Sequence, residues 1–455
     1  MGRRADFGQR NSSALCSLRD RLHAWLIRSP EGGRGDMQVE FQEEPKTPKS
    51  RQPGAPACTW IGRAALGLGM VAALVLVWKV EFAVRNVLRA DALASGTPGR
   101  THGRVSLHHA KRFTVEYRAD CKLIRVADAN HADARGTVYQ LVPRGHRPVP
   151  VEQGALLVET PVRRVIALGT GHAAAFARLG VPSVLVGVAG VRLLNTPELV
   201  AQVRRGELAE VSDGTPSMSK KLDLEQIRTL APDLILTSFL GNDGSKLQEA
   251  GFKVAESSEW LEETPLGRAE WLKFVAAFLD RETEAERLFW GIEQRYEAQV
   301  ARVQKVKRRP TVLCGLDQRG TWLVPGGRSY VADFIQAAGG DYLWKTDLNT
   351  GSQPLKMESV LEGARDAEVW LLHRSFVRSR REILQLDPRY TLFGAFHSGR
   401  IYHNDARISP EGGNDYWETG VTNPDLVLAD LIAILHPELA PNHQFIWYRQ
   451  LPEEE

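Results

Sequence analysis

Between Arg164 and Leu435 the chain runs twice through the same alternation, a short apolar strand followed by a helix, and one long amphipathic stretch separates the two runs. Arg164-Val-Ile-Ala-Leu168 is a strand of the parallel type, His172–Leu179 an Ala-rich helix, and Val184–Val188 the next strand. Asp223–Leu230 reads as a helix ended near Pro232, followed by strand Leu234–Thr237, short helix Lys246–Ala250 and strand Lys253–Ala255. Parallel neighbours need a crossover between them, so this rhythm specifies an α/β lobe around a parallel sheet. From Ala269 the apolar residues Trp271, Phe274, Val275, Phe278 and Leu279 keep helical spacing. Leu288, Phe289, Ile292, Tyr296 and Val300 continue it, which predicts one helix to about Val306. The second run has strands at Val312–Gly315, Trp322–Val324, Val369–Leu372 and Arg400–Tyr402, and helices at Ser329–Ala338, Glu358–Ala364 and Pro424–Leu435.

Upstream the pattern differs. Residues 1–60 are rich in Arg, Gly, Pro, Ser and Glu without an apolar period, and read as disordered. Ala64–Trp78 is uncharged across about 15 residues, short for a spanning helix and long enough for the apolar core of an export signal. Lys46, Lys49, Arg51 and Arg63 precede it, so the N-terminus should stay in the cytosol and the rest be exported. A cleaved signal and an uncleaved anchor both remain open, as does translation from Met37. No Cys follows the run closely, which leaves a lipoprotein anchor unsupported. Phe113–Tyr117, Lys122–Val126, Val138–Val142 and Leu156–Val158 alternate as strands. The resulting map has a disordered segment (1–60), a signal or anchor (61–85), a linker (86–105) and a β extension (106–160). A first α/β lobe (161–268), an inter-lobe helix (269–306), a second α/β lobe (307–440) and a tail (441–455) follow.

Composition excludes several classes. A net charge of +3 over 455 residues, without a Lys/Arg stripe, argues against nucleic acid. Cysteines at 16, 58, 121 and 314 form no Cys-x-x-Cys pair, so neither a zinc cluster nor a disulfide framework is expected. Two unpaired buried thiols at Cys121 and Cys314 are the simpler reading, a single bridge between them the alternative. The sequence has no Gly-x-Ser-x-Gly elbow, His-Glu-x-x-His or phosphate loop, so no catalytic role is expected.

Several local patterns follow one another in a telling order: Arg163-Arg-Val-Ile-Ala-Leu168, the helix–Pro-Asp–strand element Leu222–Leu236, and Ala332-Asp-Phe-Ile-Gln-Ala-Ala-Gly-Gly340. Met357–Leu361 with Ala367–Leu371, Gly399-Arg-Ile-Tyr402 and Leu435-His-Pro437 complete the set. The set bears a resemblance, over roughly residues 161–440, to the periplasmic binding proteins of the iron–siderophore and cobalamin family. It implies two α/β lobes bridged by a rigid helix, a ligand cleft between them, and a function as the solute-binding component of an ABC importer. The implied ligand is an iron–siderophore, cobalamin or haem complex; the implied partners are a permease and its ATPase; the implied location is the periplasm, and the implied state a monomer. In the family one exposed Glu per lobe docks onto permease arginines, and Glu225 and Glu358 match those positions. Complementing a helix dipole, worth about 0.3–1 kcal/mol, is their plainer role.

The candidate ligand contacts follow from position. Gly169-Thr-Gly171-His-Ala-Ala174 has the spacing of a dinucleotide fingerprint, but the next strand ends Val188-Ala-Gly190 without the acid that would hold a ribose. Thr170, Gly171 and His172 instead offer a helix N-terminus to the cleft. In the second lobe, Arg319, Trp322, Arg328 and Tyr330 offer cations and flat faces, and Gly326 and Gly327 would let backbone approach the ligand. Arg374 stands just after a strand, and Tyr416, Trp417 and Glu418 lie in the loop before the last helix. His172, His373, His397 and His403 show no ligand spacing, so neither a metal site nor a cofactor is expected; metal would enter inside an organic chelate. An exported metal-dependent enzyme or a membrane-anchored sensor on the same scaffold are the alternatives.

Overall fold

The computed structural model describes residues 103–127, 136–145, 147, 149–214, 221–238, 243–373 and 377–454. The expected disordered segment, the apolar run Ala64–Trp78, the linker up to residue 102 and Arg374 lie outside these residues. The fold is the expected α/β class, with one parallel sheet and one largely parallel sheet.

The described chain opens with a strap, residues 103–112, and then a four-stranded sheet in the order β1-β2-β3-β4. Its strands are β1 (Phe113–Tyr117), β2 (Lys122–Val126), β3 (Thr137–Pro143) and β4 (Ala155–Thr160). The first three run antiparallel, and β3 and β4 pair in parallel. The first lobe follows as β5 (Val165–Ala167), α1 (Thr170–Arg178), β6 (Leu185–Val188), α2 (Pro197–Arg204) and β7 (Ala209–Glu210). It continues through α3 (Leu224–Leu230), β8 (Leu234–Ser238), α4 (Asp243–Glu249) and β9 (Val254–Ser257). All five strands are parallel, in the order β7-β6-β5-β8-β9.

The stretch expected as one helix from Ala269 to Val306 is three: α5 (Pro265–Glu270), α6 (Leu272–Leu279) and α7 (Glu282–Val303). Asp280 ends α6 in the left-handed region, at φ 53°. Lys122 of β2 holds the break: its ammonium donates to Ala277 O at 2.6 Å, and to Asp280 Oδ1 and Glu282 Oε1, each at 2.7 Å. A lysine at a helix C-terminus satisfies an orphan carbonyl and complements the dipole. The apolar period continues through the break, so only this distant contact reveals it.

The second lobe comprises β10 (Thr311–Cys314), β11 (Asp317–Gln318), β12 (Thr321–Pro325), α8 (Tyr330–Ala337), β13 (Asp341–Tyr342), β14 (Ser352–Leu355) and α9 (Met357–Ala364). It closes with β15 (Val369–Leu372), α10 (Arg380–Leu386), α11 (Gly394–His397), β16 (Ile401–His403), α12 (Pro424–Leu435) and β17 (Arg449–Gln450). Its main sheet has the order β13-β10-β15-β16-β17, and β11-β12-β14 form a small antiparallel sheet. The segment from residue 441, expected to be a tail, is part of the lobe: β17 pairs antiparallel with β16, and Trp447, Tyr448 and Leu451 are buried. Cys314 is buried and Cys121 half-buried, and both are free thiols.

The β extension shares its core with the first lobe. Phe113 packs on Trp271 at 4.7 Å and on Phe274 at 5.7 Å, and Tyr139 meets Phe274 and Phe278 edge-on. Helix α6 therefore sits inside the first-lobe core, while Leu266 and Ala269 of α5 and Phe289, Ile292 and Tyr296 of α7 belong to the second-lobe core. The strap is fixed by carboxylates: Glu270 accepts from the amides of His108, His109 and Ala110, and Glu262 from those of Lys111 and Arg112. Lys273, fully buried, lies 3.0 Å from Glu270 and 3.1 Å from Glu286. Glu270→Ala leaves that ammonium short of a partner and three amides unsatisfied. It should cost about 3–5 kcal/mol of stability in urea unfolding; a loss under 1 kcal/mol would show that water replaces the carboxylate.

Candidate functional site

In the main sheet of each lobe the strand order reverses at a switch point, where crevices form beyond the carboxyl ends of the strands. In the first lobe this point lies between β5 and β8, and α1 begins there. Gly169 is extended (φ −150°, ψ 148°) and has no side chain to cap the helix, so the first amides of α1, which like those of any helix lack intrahelical partners, get none from the N-cap side chain. In the second lobe the switch lies between β10 and β15, and His373 follows β15 directly.

A chain of polar and aromatic groups connects the lobes. Nε2 of His172, in the first turn of α1, lies 3.9 Å from Glu259 Oε2. Glu259, just beyond β9, accepts a 2.9 Å bond from Ser257 Oγ, and Arg268 Nη2 of α5 stands 3.9 Å from its other oxygen. The Arg268 guanidinium sits over the Tyr330 ring of α8, 4.1 Å from its centroid. Tyr416, buried, lies within electrostatic reach of both Arg268 and Tyr330. Its ring meets Trp417 at 4.8 Å and Tyr448 at 5.8 Å, both edge-on, and the Tyr448 hydroxyl lies 3.3 Å from His373 Nε2. Three buried polar atoms in and beside this chain make no hydrogen bond: His172 Nδ1, Arg268 Nε and Trp260 Nε1. Buried polar atoms are normally paired, so these three are open to a further partner. Burial pushes the Tyr416 phenol well above its ordinary range. Burial also pushes Glu259 upward, yet His172, Arg268 and Ser257 together hold its carboxyl below the usual value.

Of the expected contacts, His172, Tyr330 and Tyr416 belong to this chain, with Trp417 edge-on against Tyr416. Thr170 is half-buried at the start of α1. At Gly171 a Cβ would stand 2.8 Å from the Trp417 carbonyl, so the missing side chain lets the two lobes touch there. Arg319 stands outside the chain, exposed in the β11–β12 turn with φ 58°. Arg328 is exposed and pairs with Glu263 at 2.7 Å.

Three expectations are corrected. Trp322 does not face the cleft: it is fully buried, stacked on Trp370 at 5.6 Å, and its indole donates to Cys314 O at 2.8 Å. Alternation along β12 sends it into the core. Gly326 and Gly327 make room for protein, since a Cβ at either would strike carbonyls of the 344–351 segment. Glu418 is spent within the protein. Fully buried, it accepts from Thr196 N at 2.7 Å, Thr196 Oγ1 at 2.5 Å and Asn195 N at 2.9 Å, and so ties the segment leading into α2 of the first lobe to the second. Burial raises its pKa while these bonds act against the rise.

The sequence reading missed Glu259, Arg268 and Tyr448. Glu259 and Trp260 follow a parallel strand at its carboxyl end, a position that could have been flagged. Arg268 interrupts the apolar face made by Leu266 and Ala269, an equally usable signal. Glu225 and Glu358 are both exposed in the first turns of α3 and α9, and Glu358 pairs with Arg389 at 2.8 Å.

The family model described as periplasmic binding protein matches residues 165–408, more than half of the chain. An uncharacterized lipoprotein of Methanocaldococcus jannaschii is 31% identical over 293 residues, which is 62% of this chain and 67% of the relative. Among solved structures, a possible iron-binding (periplasmic solute-binding) protein from Staphylococcus epidermidis aligns with TM-score 0.48 and 18% identity, over 60% of this chain and 99% of the other. A periplasmic heme binding protein from Pseudomonas aeruginosa aligns with TM-score 0.46 and 22% identity, over 61% and 93%. The chain belongs to the periplasmic binding protein family, whose members are substrate-binding proteins that work with an ABC permease and ATPase.

A carboxylate held below its ordinary pKa in the fold contributes stability above the unfolded value, about 4.3 for Glu, and loses it as pH falls through the folded value. Between pH 5 and pH 3 the native protein should therefore lose stability more steeply than Glu259→Gln in denaturant titrations. Parallel curves would show Glu259 unpaired in solution.

Proposed function

We propose that the chain is the solute-binding component of an ABC importer and captures an iron–siderophore or a related metal chelate, cobalamin or haem, in the crevice between its lobes. The observation that carries this reading is the Arg268 guanidinium lying across Tyr330, with Nε unsatisfied and His172 Nδ1 unsatisfied on the facing lobe. A fixed cation against an aromatic face suits an anionic, flat or oxygen-rich ligand. Buried donors on both lobes suit a ligand that must touch both before it is held.

Delivery would use the exposed Glu225 and Glu358, one on each lobe, as docking points for permease arginines. Export and retention at the membrane would rest on Ala64–Trp78, as a cleaved signal or an anchor. Among the described residues no helix is long and apolar enough to cross a membrane.

Tryptophan fluorescence of the full chain, titrated with ferric siderophores, haem and cobalamin, should quench tightly with one class. Arg268→Ala should then weaken binding about 10–100-fold, the loss of one charge-assisted contact worth about 1.5–3 kcal/mol. No response to any chelate would overturn the reading. Glu225→Lys with Glu358→Lys should abolish uptake in cells while leaving chelate binding intact, and unchanged uptake would remove the docking role.

A further inference from the structure

Away from the crevice, His109 of the strap meets Glu293 and Glu297 of α7, and one donor atom from each lies within 4.8 Å of the others. We propose that these three side chains bind a divalent transition-metal ion of the zinc type, pinning the strap to the inter-lobe helix.

The donor set is preorganised from both sides. Glu293 and Glu297 are four residues apart on a 22-residue helix, so both project from one face. His109 cannot drift, because Glu270 grips its amide at 2.7 Å along with those of its two neighbours. Its ring lies 5.9 Å from Phe289, which gives the site an apolar wall and limits competing water. One imidazole and two carboxylates match the ligand chemistry of zinc, which takes nitrogen and oxygen at about 2.0–2.2 Å and leaves a fourth place for water or another carboxylate. The donor pair His109 Nε2 and Glu293 Oε1, at 2.8 Å, would open by about 0.5 Å to bracket a tetrahedral ion.

A second observation is independent of the donors. The Tyr296 hydroxyl, on the same turn of α7, is buried at 5% exposure and makes no hydrogen bond. It lies within electrostatic range of Asp333 of α8, which in turn lies within range of His109. The Asp333 carboxylate, within electrostatic range of His109, supplies a further oxygen toward which an ion at these donors, or its water, would be drawn. Such a site joins three parts of the molecule: the strap, the inter-lobe helix and the first helix of the second lobe.

The test uses the purified full-length chain without an affinity tag, stripped with EDTA and titrated with Co2+, then with Zn2+ in competition. One equivalent of Co2+ should bind with a visible absorption band, and Zn2+ should displace it and raise the melting temperature. His109→Ala and, as the shape-conserving variant, Glu297→Gln should each weaken binding at least tenfold and remove the Zn2+-dependent rise in melting temperature. Absence of stoichiometric binding at micromolar metal, or equal binding by Glu297→Gln with its native circular dichroism retained, would overturn the proposal. Neither result depends on the chelate captured in the crevice.

Discussion

The arrangement of the lobes depends on one constraint: the helical block from Pro265 to Val303 is buried in both of their cores. Helix α6 is buried end to end against the first lobe and the β extension, while the apolar residues of α5 and most of those of α7 pack with the second. A segment fixed at both ends by large apolar burial cannot rotate freely, since each aromatic side chain withdrawn would cost several kcal/mol, roughly 3–5 for a Phe or Trp. Arg268 stands on this block at the junction. Its position relative to Tyr330 on one side and Glu259 on the other is therefore set by the cores and not by loop packing.

A second device recurs wherever irregular backbone is buried. A carboxylate faces a run of consecutive amides and satisfies them together. Glu262 and Glu270 do this for the strap, Asp430 for Ile446, Trp447 and Tyr448, Glu210 for Gly190 and Val191, and Glu418 for Asn195 and Thr196. Unpaired buried amides are costly, and a carboxylate accepts several charge-assisted bonds at once. The device orders segments that have no helix or sheet to supply partners.

This distinction separates what could be read in the sequence from what could not. Strands and helices inside the lobes were legible because their apolar period is local. Pro424–Leu435 and Phe113–Tyr117 fall where periodicity and turn residues place them. The break at Asp280 was not legible, because a lysine more than 150 residues away holds it. Nor was the burial of Trp447 and Tyr448, which rests on Asp430. At the site, His172, Tyr330 and Tyr416 were legible as residues beyond strand ends or at helix starts. Glu418 was misplaced because an acid in a loop between aromatics looks the same whether it faces a ligand or holds a loop of the other lobe. Trp322 was misplaced because a strand's two faces are interchangeable until its register is known.

The placement of Glu418 bears on how far the lobes can part. The lobes are joined through the block at residues 265–303 and also across the loops at 191–197 and 407–420. There Asn195 donates to Gly413 O, Ser409 to Arg192 O, and Gly413 packs directly on Leu193. Wide opening would break this second seam and leave a carboxylate and several amides to find water at once. The bonds of Glu418 to Asn195 and Thr196 close in one relative placement of the lobes, whereas the Arg268–Tyr330 contact and the unsatisfied His172 Nδ1 are compatible with a small separation. Selectivity in such a crevice would come from preformed charge and shape, because a ligand gains little from driving a large closure. A rigid ligand with its charge already arranged is suited to that regime, and a flexible one that must be folded around by the protein is not.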